Sequence, residues 1–231
     1  MPSNCSRATD TRHTMKTMTE ALAHLKSLGF LPGTVVDVGV AHGTPPLYAA
    51  FPDAYFFLFE PVTDFEPNIK SVLTKIRGEY QMCALGATSG TATIFVSDAP
   101  VGSSLMHRGI DAGDPHLRKI TIRTLDEIFT GKNPLGPILL KTDCQGGDLD
   151  VIRGGTEFIQ KCEVIIMEIG MFRYWSPKTP DFADTVVEMK AHGFVPYDFL
   201  DEMRRPFDGA LGQLDVVFVK ENGPFQKSHK W

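Results

Sequence analysis

Four short apolar runs, separated by stretches with helical spacing, are the feature that most constrains the fold of this chain. They cover residues 34–39, 55–60, 138–142 and 164–168. Each run is apolar almost throughout, which is typical of a strand buried on both faces of a sheet. Helical stretches are expected at 45–51, near 65–76 and from about 148 to 159. Strands that alternate with helices in this way predict a parallel sheet.

The remaining patterns complete an α/β domain. A leading helix is expected over 15–28, where a stripe of apolar side chains ends at Gly29. Further elements are expected as strands at 91–97 and 119–123, a short helix at 125–129 and a longer helix at 182–192. The last two apolar runs, 195–200 and 214–220, have no helix between them, which predicts an antiparallel pair at the sheet edge. Residues 97–116 form a long irregular loop of the kind that often binds ligands.

The length and charge of the chain limit what it can be. Its 231 residues, 42% of them hydrophobic, suffice for one sizeable core. We expect a tail and leading helix over 1–30, the main domain over 31–222 and a short tail over 223–231. A net charge of −5 argues, weakly, against a nucleic-acid partner. No apolar stretch is long enough to predict a membrane span, and cysteines without CxxC pairing predict a reducing cytoplasm.

A turn with two glycines, residues 37–43, links the first strand to the helix that follows it. Small residues at Gly39, Ala41 and Gly43 would let the backbone approach a ligand. The dinucleotide fingerprint GxGxxG, aligned on Gly39, needs glycine where Ala41 and Thr44 stand. The turn therefore disfavours NAD.

Two acids accompany this turn. Asp37 lies two residues before Gly39, and Glu60 ends the next strand, where a carboxylate can accept both hydroxyls of a ribose. A site for S-adenosylmethionine needs a ribose clamp and acids near an ammonium and a sulfonium, and it needs no pyrophosphate cradle. These residues therefore predict an S-adenosylmethionine site, although a tight turn beside an unrelated acid would leave the same pattern.

The chain resembles the FkbM-type methyltransferases over residues 34–220. The matching segments are VVDVGVAHG at 35–43, LFEP at 58–61, LLKTDCQGGDLDVIRGG at 139–155 and IIMEIG at 165–170, with others at 83–97, 102–105, 122–128 and 214–220. Their order and spacing carry the resemblance. The family often has Glu in place of Gln145, and Asn and Gly in place of His42 and Thr44, so a substrate site standard for the family is not expected.

The resemblance implies a Rossmann-like class I methyltransferase fold, a mostly parallel sheet with an antiparallel edge strand and helices on both faces. S-adenosylmethionine would lie across the carboxyl ends of the first strands. Asp37 would support the turn and the methionine amine, and Glu60 would clamp the ribose. The resemblance also implies that Gly39, Ala41 and Gly43 line the methionine and ribose, and that Cys83 and Ala84 border the adenine. Cys83 and Ala84 fit plain strand packing equally well.

Four side chains are candidates for the chemistry. Asp143 ends an apolar run at the carboxyl edge of the sheet, which favours it as a base or a substrate orienter. His42 and His107 are rival bases, because a histidine titrates near neutral pH. Glu168 ends the next run, and with Asp143 it could hold Mg²⁺. No further acid stands beside these two, so no metal is predicted.

The favoured function is O-methylation of a hydroxyl on a sugar, a glycan or a small molecule like a secondary metabolite. The aromatic residues 171–175 could form a wall for such an acceptor, or could pack the helix that follows. A module that binds S-adenosylmethionine without catalysis is an alternative. A nucleic-acid methyltransferase is less favoured, because TDCQ at 142–145 stands where amino-directed members often have Asn/Asp-Pro-Pro-Tyr, and no basic stripe with aromatic residues occurs.

Overall fold

The computed structural model describes residues 16–96, 103, 105, 114–228 and 230. Its helices are α1 Met18–Ser27, α2 Pro45–Ala50, α3 Glu66–Leu73, α4 Leu125–Phe129, α5 Asp148–Arg153 and α6 Phe182–Ala191. Its strands are β1 Thr34–Val38, β2 Tyr55–Phe59, β3 Arg77–Gln81, β4 Ala84–Leu85, β5 Gly90–Phe95, β6 Leu117–Arg123, β7 Ile138–Thr142, β8 Cys162–Gly170, β9 Phe194–Arg204 and β10 Leu211–Lys220. Short 3-10 turns cover Thr63–Phe65, Ile159–Lys161 and Pro224–Gln226.

Seven strands form the main sheet, in the order β3-β2-β1-β7-β8-β10-β9. Strands β1, β2, β3, β7 and β8 run parallel, whereas β10 is antiparallel to both β8 and β9. This arrangement confirms the predicted parallel sheet with an antiparallel edge pair. The direction in which strands are added reverses between β1 and β7, and ligands of open α/β sheets bind at such a switch point.

Helices cover both faces of the main sheet, as predicted. Side chains from α4, α5 and α6 pack on the face that carries Val36 and Leu140. Side chains from α1, α2 and α3 pack on the opposite face, which carries Val35 and Leu139. Thr17 caps α1 by accepting a hydrogen bond from the backbone N–H of Glu20, whose side chain bonds back to Thr17. We refer below to the face under α1, α2 and α3 as the α1 face.

Three structural features depart from the sequence analysis. The residue pattern does not predict strand β3, because its sequence RGEYQ is only partly buried at the sheet edge and lacks an apolar run; the family resemblance implied a third strand ending at Cys83 and Ala84, whereas β3 ends at Gln81. Strands β4, β5 and β6 form a separate three-stranded sheet. The helix expected from about 148 to 159 ends at Arg153, because it is followed by Gly154 and Gly155 and glycine is a poor helix former.

The segments that flank the main domain pack onto the same core. Four residues of α1 are buried on the α1 face, and the ring of Phe225 packs against Phe30 and Tyr197. These contacts do not test the proposed boundaries at residues 30 and 222, which stay predictions. In the part of the chain that the structure describes, no helix is long and apolar enough to cross a bilayer.

Candidate active site

A cavity of about 230 Å³ opens at the carboxyl ends of β1 and β2, beside the switch point. One wall comes from the main sheet and the loops that follow its strands. The opposite wall comes from the small sheet, through apolar side chains such as Leu85, Ile94 and Ile122. Glu60 and Asp143, which follow β2 and β7, supply carboxylates to the lining. The cavity is thus an apolar slot with acids on its rim.

The turn after β1 has three residues in the left-handed region, Gly39 at φ +77°, Ala41 at +44° and Gly43 at +102°. A Cβ at Gly39 would collide with the backbone carbonyl oxygen of Asp143. Glycine is therefore required here by the close approach of two protein loops, whatever the ligand. Gly39 and Ala41 line the cavity, whereas Gly43 lies away from it, against Val72.

Glu60 joins the two loops at the cavity. Its Oε2 accepts the backbone N–H of Ala41 at 2.9 Å, and its Oε1 accepts that of Val62 at 2.8 Å. Burial raises the pKa of Glu60, while these two N–H bonds act in the opposite direction. Each carboxylate oxygen can accept a further hydrogen bond, and Glu60 lines the cavity. The position fits a clamp for two neighbouring hydroxyls, as the sequence predicts.

Asp37 lies away from the cavity, fully buried on the α1 face. Its Oδ2 accepts a hydrogen bond from the hydroxyl of Tyr48 at 2.8 Å, and its Oδ1 lies 3.7 Å from Nζ of Lys141. Asp37 therefore supports the turn from beneath, through Tyr48 of α2. Its contact with a methionine amine stays a prediction.

Cys83 and Ala84 lie on the cavity wall, where Cys83 precedes the small sheet and Ala84 begins its strand β4. Both are buried, and burial raises the pKa of the Cys83 thiol to about 11, so the thiol is neutral at physiological pH. This part of the wall is apolar, as the border of an adenine would be. The adenine contact itself stays a prediction.

Asp143 follows β7 and lines the cavity with a side chain that is 37% exposed. Its Oδ2 lies 3.4 Å from Nζ of Lys141, and its Oδ1 accepts a hydrogen bond from Nε2 of Gln145 at 3.1 Å. The carboxylate is therefore held from both sides while it faces the cavity. This is the position that the sequence predicts for a base.

Lys141 is the functional candidate that sequence analysis missed. It is 4% exposed on β7 and stands opposite Asp37 of β1 in the strand register. Burial alone would lower its pKa, but the carboxylates of Asp143, Asp37 and Asp215 outweigh burial and raise the pKa. The sequence does contain a signal for Lys141, because a lysine inside the run ILLKT interrupts a strand otherwise predicted to be buried on both faces.

Glu168 lies two residues before the end of β8, on the α1 face. Its Oε2 accepts a hydrogen bond from Nε2 of Gln145 at 3.0 Å, and its Oε1 accepts one from Nε2 of Gln213 at 2.6 Å. Burial, and then the charge of Asp143, raise the pKa of Glu168 well above its ordinary value. The sequence prediction that Asp143 and Glu168 come together is consistent with this geometry.

The amide of Gln145 stands between the two carboxylates, 3.1 Å from Asp143 Oδ1 and 3.0 Å from Glu168 Oε2. A cation shared by both carboxylates would have to displace this amide. Among the described residues, no group of three or more His, Cys, Asp or Glu side chains could hold a metal ion.

The rival bases are less well placed or untested. His42 is exposed, and its ring packs edge-on against Phe65, which lines the cavity, with ring centroids 4.9 Å apart. His107 lies outside the described residues. Phe172, Tyr174 and Trp175 line a second, much smaller cavity together with Glu168. Trp175 packs so closely on Gly146 that a Cβ there would lie 2.7 Å from its Cδ1, so this ring also packs against the turn that follows β7.

Comparison with known proteins decides the family. The family model described as the methyltransferase FkbM domain matches residues 37–196. The chain belongs to this family. The FkbM member is 26% identical over 135 residues to the hexuronic acid methyltransferase AglP of Haloferax volcanii. The match covers 58% of the chain and 54% of AglP, so the chain spans about half the length of this curated relative.

The fold is that of the class I methyltransferases. The structure of magnesium protoporphyrin IX methyltransferase (ChlM) from Synechocystis, with bound SAM, is similar with a TM-score of 0.50 and 12% identity. The similarity covers 88% of this chain and 77% of ChlM. At this identity the likeness concerns the fold, and it agrees with the strand order of the FkbM domain described above.

Proposed function

We propose that this FkbM methyltransferase uses S-adenosylmethionine to methylate an oxygen atom of a sugar or a related small molecule. One observation carries the proposal. A single cavity at the switch point of the sheet has the Glu60 carboxylate on the β2 side and the Asp143 carboxylate on the β7 side.

S-adenosylmethionine suits this cavity part by part. Its purine is flat and has apolar faces, which suit the space between the main sheet and Ile94 and Ile122 of the small sheet. Its ribose diol suits the two oxygens of Glu60. Its cationic end suits the side of Asp143, because a carboxylate in a partly buried site stabilises a nearby positive charge. The residues present therefore fit the cofactor.

When bound, the cofactor would supply a methyl group carried on a sulfonium: the bond between the methyl carbon and sulfur breaks as a bond to the acceptor oxygen forms, and S-adenosylhomocysteine is the leaving group. A hydroxyl acceptor must lose its proton in this exchange. Asp143 is placed to take that proton and later release it to water. The cavity walls orient the two reactants and exclude water, which supplies much of the rate.

The sugar assignment is supported by the name of the relative, hexuronic acid methyltransferase. A hexuronic acid offers two kinds of oxygen, hydroxyl and carboxylate. A carboxylate acceptor needs no base, whereas a hydroxyl acceptor does. The placement of Asp143 therefore favours a hydroxyl and a methyl ether product.

The test has two steps. Calorimetry with S-adenosylhomocysteine should show binding to the purified protein. Transfer of labelled methyl from S-adenosylmethionine to a panel of hexosides, hexuronides and phenols should then yield a product that resists alkali, since an ether survives and a methyl ester is cleaved. Absence of S-adenosylhomocysteine binding would reject the proposal. Binding without transfer to any acceptor would favour the non-catalytic module.

A further inference from the structure

A continuous row of polar side chains crosses four strands at the carboxyl edge of the main sheet. It runs from Tyr48 to Asp37, Lys141, Asp143, Gln145, Glu168 and Gln213. Successive polar atoms lie 2.8, 3.7, 3.4, 3.1, 3.0 and 2.6 Å apart in that order. Asp143 is the centre of the row and lines the cavity.

The two neighbours of Asp143 in this row stand two residues before and two residues after it. Lys141 contacts Oδ2, and Gln145 donates to Oδ1. Each neighbour is anchored on its far side by another carboxylate, Asp37 for Lys141 and Glu168 for Gln145. Each carboxylate oxygen of Asp143 thus contacts a side chain that is itself fixed by a second carboxylate.

Stability does not explain either neighbour. A buried ion pair is often no more stabilising than apolar side chains of similar size, and Ile138, Leu139 and Leu140 of the same strand are apolar. Gln145 has φ +48°, a conformation that costs free energy for a residue other than glycine. A buried charge and a strained backbone conformation next to a candidate base both cost free energy, and this indicates a role in the chemistry.

We propose that Lys141 and Gln145 are positioning residues that fix the carboxylate of Asp143 in the orientation needed for methyl transfer. The proposal rests on the proposed function. Neither residue is required to contact the acceptor or the cofactor for this role. Their effects on the reaction must therefore pass through Asp143.

A pair of double-mutant cycles tests whether Lys141 and Gln145 act through Asp143. Gln145→Met keeps the side-chain length, Lys141→Met shortens the side chain by one atom, and both remove the polar contacts. Each should lower kcat by about 10- to 100-fold in the presence of Asp143, and by no more than about twofold in an Asp143→Asn background, because effects through one group are not additive. The acceptor KM and the affinity for S-adenosylhomocysteine should stay within about threefold. Lys141→Arg, which keeps the charge, should restore part of kcat.

Matched controls are available on the surface. Lys190 pairs with Glu221, and Gln160 bonds the carbonyl oxygen of His192, both away from the cavity. Lys190→Met and Gln160→Met should leave kcat unchanged. Equal losses with and without Asp143 would overturn the proposal, since a merely structural role gives additive effects.

A second readout needs no acceptor. Crystal structures of Gln145→Met and Lys141→Met should show the Asp143 carboxylate turned from its present orientation or spread over several. An unchanged carboxylate in both variants would overturn the proposal, and if Lys141→Met does not fold, Gln145→Met decides alone. Failure of the wild type to bind S-adenosylhomocysteine would instead reject the proposed function.

Discussion

The carboxyl edge of the main sheet differs in composition on the two sides of β7. On the side of β1 and β2, backbone turns and apolar side chains form a slot with the Glu60 carboxylate on its rim. On the side of β8 and β10, buried or partly buried acids and amides contact one another, among them Glu168, Gln213 and Asp215. We call these the cofactor half and the acceptor half.

The difference follows from what each half is proposed to bind. A cofactor of fixed shape suits a slot formed by backbone and apolar walls, with few polar contacts. An acceptor that must be oriented and deprotonated suits side chains whose positions and charges are set by their neighbours. Substitutions on the cofactor half should therefore change cofactor affinity, whereas substitutions on the acceptor half should change the rate of methyl transfer.

Asp143→Asn should have the largest effect. The amide keeps the size of the side chain and cannot take the acceptor proton, so methyl transfer should fall by about 10² to 10⁴. The affinity for S-adenosylhomocysteine should change by less than about threefold, and the exposed Asp53→Asn should change neither quantity. Full activity of Asp143→Asn would remove the acceptor half from the chemistry and direct attention to His42 and His107.

Glu60→Gln should act on the cofactor half. Hydrogen bonds to a charged group contribute about 1.5 to 3 kcal/mol, so the affinity for S-adenosylhomocysteine should fall by roughly 10- to 100-fold in calorimetry. Because Glu60 also holds Ala41 and Val62, thermal unfolding must be measured alongside. Glu79→Gln, at an exposed pair with Lys132, is the control. Unchanged affinity with an intact fold would remove the ribose role.

Two buried acids near Asp143, Asp215 on β10 and Asp148 at the start of α5, predict an unusual pH dependence of stability. Burial raises the pKa of Asp215 to about 7, and burial followed by Asp143 raises that of Asp148 to about 6. A raised pKa in the folded state means stability that is present at low pH and is lost as pH rises through that pKa.

Between pH 5 and 7 the free energy of unfolding should therefore fall by on the order of 4 kcal/mol. Chemical denaturation of the wild type and of Asp215→Asn across this range measures the effect. The variant should have the flatter profile. Parallel profiles would show that Asp215 does not take part.

Glu168→Gln should have the smallest effect. The amide oxygen can still accept a hydrogen bond from Gln145, so methyl transfer should fall by no more than about tenfold. The affinity for S-adenosylhomocysteine should stay within about twofold of the wild type, because Glu168 lines only the second cavity. A clear loss of cofactor affinity would break the division into two halves.

The sequence predicted the cofactor half better than the acceptor half, for a physical reason. Residues 37–43 and Glu60 belong to local strand-and-turn patterns, which a single sequence displays. The row around Asp143 joins side chains from β1, β7, β8 and β10, and their contact depends on the order of strands in the sheet. That order is fixed by packing and is not visible in any one segment.

Some of the missing information was nevertheless local. Lys141 and Asp215 each interrupt an apolar run, and a charge inside a buried strand predicts a charged partner on a neighbouring strand. Strand β3 had no such signal, since RGEYQ is partly exposed at the edge. The small sheet was also missed, because its strands alternate like those of any partly exposed sheet.

A crystal structure of the protein with S-adenosylhomocysteine tests the central claim most directly. We expect the ribose hydroxyls within hydrogen-bonding distance of Glu60, the purine between the two sheets, and the sulfur directed toward Asp143. A ligand bound in the acceptor half, against Glu168 and Gln213, or a ribose that does not contact Glu60, would contradict the account.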